Sequence, residues 1–181
     1  TAPATAGQAI ELYVREVSSS APTEAIPVLF VHGAGTPAEV AFDVPVAGYS
    51  WMAYLAERGF ATYATDMTGY GRSQRPAPMA DRCNLSEEQQ KQEFGDACAA
   101  TVATALTTME SDWHDIDAVV DFLRAKHGVD QVKLVGWSQG GPRTLGYAHG
   151  HADKVASVVV LAPAYNRNAA ATAADAPIAG T

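Results

Sequence analysis

Short, continuously apolar runs punctuate this chain. Pro27-Val28-Leu29-Phe30-Val31, Phe60-Ala61-Thr62-Tyr63-Ala64-Thr65, Val132-Lys133-Leu134-Val135 and Val155–Leu161 each have the length of a strand and little polar alternation. Runs of that kind suit strands covered on both faces. Between them the period changes. Ile116, Val119, Val120 and Leu123 are spaced to share one face of a helix over about Asp112–His127. Further helices are expected near Tyr49–Arg58 and Gly140–His149, and an opening strand near Glu11–Val17. Alternating strands and helices predict an α/β fold: a mostly parallel central sheet with helices on both faces. No internal repeat is visible.

Two of these strands lead into glycine-rich turns that carry chemistry. After Val132–Val135 comes Gly136-Trp137-Ser138-Gln139-Gly140, with Gly141 following. A G-x-S-x-G between a strand and a helix is a nucleophile elbow, a sharp turn that exposes the serine hydroxyl. Ser138 is therefore the expected catalytic nucleophile; the plainer reading is a glycine-rich turn whose serine caps a helix. After Val28–Val31 comes His32-Gly33-Ala34-Gly35. Acyl transfer builds negative charge on a carbonyl oxygen, and fixed backbone N–H groups stabilise it. The expected donors are Gln139, through its backbone, and Ala34, with Gly35 as the alternative. His32 reads as a residue that shapes its turn rather than as a base. Trp137 reads first as packing; it and His32 are the weaker candidates for the wall of a substrate pocket.

With Asp66-Met67-Thr68-Gly69-Tyr70-Gly71-Arg72-Ser73 closing the third strand, three motifs stand in one order. On them the chain resembles the α/β-hydrolase superfamily, serine-nucleophile branch, from about Glu11 to Tyr165. The resemblance gives the Asp66–Ser73 bend a structural role. It implies a hydrolase fold whose C-terminal strands and helix are missing from this chain, so that residues 1–165 form the N-terminal portion of one domain. The acid and histidine of the triad should follow the serine in that order. Only His149 and His151 come after Ser138. His149 is 11 residues on, roughly 16 Å along a helix and at its wrong end. Asp153 is at that end too, and Asp175 is a remote candidate for the acid. Residues 166–181 read as a linker or processing segment. Val155–Leu161 is too apolar for an open sheet edge. The expected partner is the C-terminal remainder of the same precursor, as a second chain that supplies the base.

Composition narrows the remaining readings. Of 181 residues only 18% are charged, and the formal net charge is −8. With no basic patch, nucleic acid is an unsuitable partner. No apolar run is long enough for a transmembrane helix, and no motif implies a cofactor or metal. Cys83 and Cys98 are the only cysteines, both within the long segment 76–111. Loops of that length are uncommon unless functional. The segment is read as an insertion, either a lid or pocket wall using Met79, Leu85, Phe94, Leu106 and Met109, or ordinary packing on the sheet. Its cysteines are expected to form a disulfide, which suits a secreted or periplasmic protein; two buried thiols in a cytoplasmic enzyme are the alternative. A start at Thr1 without methionine is consistent with a removed signal peptide or with an arbitrary boundary. The functional expectation is a serine hydrolase that cleaves a small-molecule ester, less readily an amide, through an acyl-enzyme on Ser138. Acyltransferase, carbon–carbon hydrolase and perhydrolase variants of the same site stay open. So does a binding module that keeps the elbow without the chemistry.

Overall fold

The structure, a computed structural model, describes residues 7–19 and 22–164. Asp175 and the segment 166–181 lie outside the described residues. Five strands form one sheet in the order β1-β3-β2-β4-β5, with β1 at Val14–Val17, β2 at Val28–Val31, β3 at Thr62–Thr65, β4 at Val132–Trp137 and β5 at Val155–Leu161. β1 runs antiparallel to β3; the other pairings are parallel. The expected strands are all present, with β1 and β3 starting later than the apolar pattern suggested.

β2 and β3 are buried along their whole length, and their side chains alternate between two cores. Leu29, Val31 and Tyr63 join Ile116, Val119, Val120, Leu123, Leu134 and Tyr147 on one face. Val28, Phe30 and Ala64 join Ala38, Phe42, Met52 and Val135 on the other. The first face is covered by α5 (Met109–His127) and α6 (Gly140–Gly150), the second by α1 (Ala38–Phe42) and α2 (Trp51–Ala56). The stripe expected on α5 is the buried one. A reciprocal Thr108–Ser111 capping box starts α5 and left-handed Gly128 ends it; Glu110 and Asp112 sit in its first turn, Arg124, Lys126 and His127 in its last, each sign favoured by the helix dipole.

Segment 76–111, read above as an insertion, carries its own short elements: α3 (Ala77–Ala80), a 3₁₀ turn at Arg82–Asn84 and α4 (Glu87–Phe94). Cys83 and Cys98 are disulfide-bonded. At its centre stands Gln90, 2% exposed. Its amide donates to the carbonyls of Cys83, Leu85 and Cys98, and its oxygen accepts the Cys98 N–H. No residue of the insertion before Ser111 belongs to either buried core of the sheet. β5 stands at the sheet edge, paired with β4 alone among the described residues. Val159 and Leu161 are 58% and 45% exposed there, so no described residue covers the apolar edge that was expected to be covered.

Candidate active site

The C-terminal ends of β2, β3 and β4 meet at one rim, and the site is assembled there. Ser138 follows the last residue of β4 with φ 55°. For a residue with a Cβ this left-handed backbone costs roughly 1–2 kcal/mol, and it is held by its surroundings. The Ser138 N–H donates to the Leu161 carbonyl at 3.0 Å, and its own carbonyl accepts N–H bonds from Gly141 and Ala164, both at 2.9 Å. α6 begins two residues later. It starts against β2 so closely that a Cβ on Gly140 would lie 2.1 Å from the Val31 carbonyl oxygen. Glycine is required there for space.

The turn after β2 abuts the serine. A Cβ on Gly33 would stand 2.8 Å from Ser138 Cβ and 3.3 Å from its Oγ. Ala34 and Gly35 follow on the exposed side of that turn. Among the described residues, no hydrogen bond takes up the N–H of Ala34 or of Gln139, and Ser138 Oγ has no hydrogen-bond partner.

His32 is fully buried, and both ring nitrogens are occupied. Nδ1 lies 2.7 Å from the Gly33 carbonyl oxygen and must donate to it; Nε2 accepts the Met67 N–H at 3.1 Å. Burial pushes its pKa down, so the ring stands neutral. Bonded within its own turn, it is 0% exposed and presents no surface of its own. Trp137 is half-buried and packs against the α1/α2 core.

The bend after β3 fastens this turn from the other side. Buried Asp66 accepts the N–H of Ala38 at 2.7 Å and of Arg72 at 2.8 Å. Its carbonyl accepts the Ser73 hydroxyl at 2.6 Å. Asp115, on α5, accepts both the N–H and the hydroxyl of Thr68, at 2.7 and 3.0 Å.

One feature of the site was missed in the sequence. Arg143 and Asp112 form an ion pair at 2.7 Å, with side chains 3% and 8% exposed. Arg143 Nη1 also donates to the carbonyls of His32 at 2.9 Å and Gly33 at 3.3 Å. The readable signal was position: Gly140, Arg143, Thr144 and Tyr147 are the i, i+3, i+4, i+7 stripe that α6 buries. An arginine in such a stripe needs a carboxylate.

The remaining histidines stand elsewhere. His149 is exposed at the far end of α6. His151 stacks on Tyr147 with ring centres 4.4 Å apart. His127 bonds the Tyr63 hydroxyl at 2.8 Å, and His114 is on the exposed side of α5. Of the expected pocket residues, Leu85 lines a cleft of about 440 Å³ inside the insertion, beside the disulfide. Met79 packs over Gly69, and Phe94 is half-exposed under the Arg82 guanidinium. Among the described residues no cluster of three metal-ligating side chains occurs, and no helix is long and apolar enough to cross a membrane.

Known proteins resemble this chain in sequence or fold. A 46-residue stretch, 25% of this chain and 13% of the other, is 50% identical to the poly(3-hydroxyalkanoate) polymerase subunit PhaC of Allochromatium vinosum. Among solved structures, a carboxylesterase study of Nitrososphaera gargenis supplies a chain that superposes with a TM-score of 0.57 at 16% identity, over 88% of this chain and 44% of that one. The monoacylglycerol lipase of Paleococcus ferrophilus superposes with a TM-score of 0.55 at 24% identity, over 84% and 43%. The chain thus spans less than half of each of these proteins. These likenesses show the fold. The family model described as the alpha/beta hydrolase fold matches residues 26–180, and the chain belongs to that family.

Proposed function

We propose that this chain is the nucleophile-bearing part of a serine hydrolase acting on carboxylic esters. The observation that carries this reading is the backbone of Ser138, held at φ 55° between β4 and α6 with the Gly33 turn against its side chain. Ser138 Oγ attacks the ester carbonyl while a histidine takes its proton. The N–H groups of Gln139 and Ala34 receive the developing oxyanion. The alcohol leaves with the proton, and water releases the acyl group by the reverse sequence. Polarity supports the assignment, because the start of α6 adds its positive dipole end to the same place.

Of the described histidines, only His32 borders the turn, and its nitrogens are spent. We therefore assign the base and the acid to sequence beyond the described residues, on this polypeptide or on a second chain from the same precursor. Such a segment would also cover the apolar edge of β5. The disulfide is the feature that favours secretion or the periplasm.

A second reading is transfer of the acyl group to an alcohol in place of water. The stretch shared with a polymerase of hydroxyalkanoates favours it. One experiment separates the readings. The native protein is treated with a fluorophosphonate, the labelled peptide is mapped, and p-nitrophenyl butyrate turnover is followed with and without added alcohol. Label on Ser138, lost with turnover in Ser138→Ala, is expected for the hydrolase, and an alcohol ester among the products identifies the transferase. No label on Ser138 would leave a binding module with a vestigial elbow.

A further inference from the structure

We propose that Arg143 is a positioning residue for oxyanion stabilisation, acting through the carbonyl of Gly33. The proposal rests on the reading of Ser138 as nucleophile and Ala34 as donor. Arg143 leaves the first turn of α6 and is 3% exposed. Its Nε is held by Asp112, and its Nη1 reaches the carbonyl oxygens of His32 and Gly33. The Gly33 oxygen is gripped a second time, by His32 Nδ1 at 2.7 Å. Two donors from different elements thus fix the direction of one peptide group.

That peptide group links Gly33 to Ala34, and among the described residues no peptide bond is cis. In a planar trans peptide the C=O and the following N–H point in opposite directions. Anchoring the Gly33 oxygen on the buried side therefore turns the Ala34 N–H outward, to the side where Ala34 is exposed. The same peptide passes directly beside Ser138, because a Cβ on Gly33 would touch the serine side chain. Both proposed oxyanion donors are then set by one rigid helix. Gln139 immediately precedes α6, and α6 directs Ala34 through Arg143.

The residue type fits this task. A guanidinium presents five donors in a fixed planar fork and can hold a carboxylate and two carbonyls at once; an ammonium has no such fork. Stability alone does not account for the pair, since a buried ion pair is often no more stabilising than a hydrophobic pair of equal volume. What the apolar pair would lack is any hold on the direction of the Gly33 carbonyl. The guanidinium carbon also lies 5.7 Å from the ring centre of Tyr70, whose ring is 4.7 Å from that of His32. The arginine is thereby packed as well as bonded.

The test uses the full-length protein with p-nitrophenyl butyrate as substrate, an alkyl trifluoromethyl ketone as a reversible oxyanion-forming inhibitor, and a fluorophosphonate to count reactive Ser138. The variants are R143K, R143M and R143M/D112N; the last removes the carboxylate that R143M alone leaves unpaired. Removing an oxyanion donor outright lowers kcat by about 10²–10³, and misdirecting one should lower it by roughly 10–100-fold. We expect that loss in kcat with KM within about twofold, an equal weakening of the trifluoromethyl ketone, and partial recovery in R143K. If R143M does not fold, R143M/D112N and R143K are decisive on the same criteria. Folded variants with kcat within about twofold of wild type, or a loss confined to KM, would overturn the role of Arg143 while leaving the nucleophile intact. Wild-type protein that takes no label on Ser138 would overturn the underlying reading, and this one with it.

Discussion

The ring Nε2 of His32 accepts the backbone N–H of Met67 at 3.1 Å. That bond exists only for the neutral ring, because the other nitrogen already donates to Gly33. It joins the end of β2 to the end of β3 beneath the proposed oxyanion turn, so protonation of one imidazole would loosen two elements of the site.

The sign of the resulting pH dependence is fixed by the direction of the shift. Burial lowers the pKa of His32 in the folded protein, whereas the unfolded chain titrates near about 6.5. The stabilisation is complete above that value and is lost as pH falls through the depressed folded pKa. Urea unfolding of wild type and His32→Gln at pH 8, 6.5, 5.5 and 4.5 should show it. Glutamine can accept from Met67 and donate to Gly33 but cannot titrate, so its stability should fall less steeply below pH 6.5. Parallel curves for the two proteins would contradict the assignment.

Asp115 should behave in the opposite sense. Burial, reinforced by the Asp112 charge, pushes its carboxyl pKa up despite the two bonds from Thr68. The folded state then holds the proton more tightly than the unfolded chain, and this group's contribution weakens as pH rises from about 3.9 through the raised value. Asparagine at 115 can accept the Thr68 N–H and donate to its hydroxyl. Asp115→Asn is expected to gain stability relative to wild type as pH rises from 3 to 7, ending within about 1 kcal/mol of it or above it. A widening deficit toward neutral pH would show that the carboxylate itself is needed.

The elements that the sequence revealed are those whose apolar pattern is continuous or periodic along a run. Val28–Val31 and Val155–Leu161 match their strands residue for residue, because only Ser157 interrupts the two apolar runs. The helix at Ala38–Phe42 escaped notice because it has five residues and follows Pro37, with no side-chain cap; periodicity needs more than one turn to register. At the site, Ser138 and the Gly33 turn were legible because backbone crowding demands glycine in fixed places. Arg143 and Asp112 were not. They are 31 residues apart on two helices, and only the packing of α5 on α6 makes them neighbours.

Crowding at the elbow is itself open to test. The atoms that a Cβ on Gly140 would strike are backbone, the Val31 and His32 carbonyls, and neither can rotate away. Gly140→Ala should force α6 off β2 and cost about 3 kcal/mol, at the upper end for overpacking. The fluorophosphonate rate at Ser138 should drop with it. Gly150→Ala is the control, since a Cβ there meets nothing within 4 Å. At the end of the same helix it should be neutral or stabilising by a few tenths of a kcal/mol. Equal melting temperatures for the two variants would mean that β2 and α6 separate more easily than this contact implies.

The disulfide should matter to the insertion and little to the sheet. It closes a loop of 15 residues, for which the chain-entropy account gives about 3 kcal/mol. The interior it supports is mainly Gln90, whose bonds run to Cys83, Leu85 and Cys98. The two apolar cores contain no residue between Cys83 and Cys98. Breaking the bond therefore removes much of what orders the insertion and none of what orders the α5/α6 face. Thiol titration of unreduced, denatured protein should find no free thiol. After reduction, trypsin should cut at Arg82 and Lys91 first, while the thermal transition of the remaining domain shifts by only a few degrees. Equal cleavage with and without reductant would mean that the hydrogen bonds of Gln90 hold the insertion unaided. Global unfolding on reduction would mean that the insertion carries part of the sheet's stability, through contacts outside the two cores.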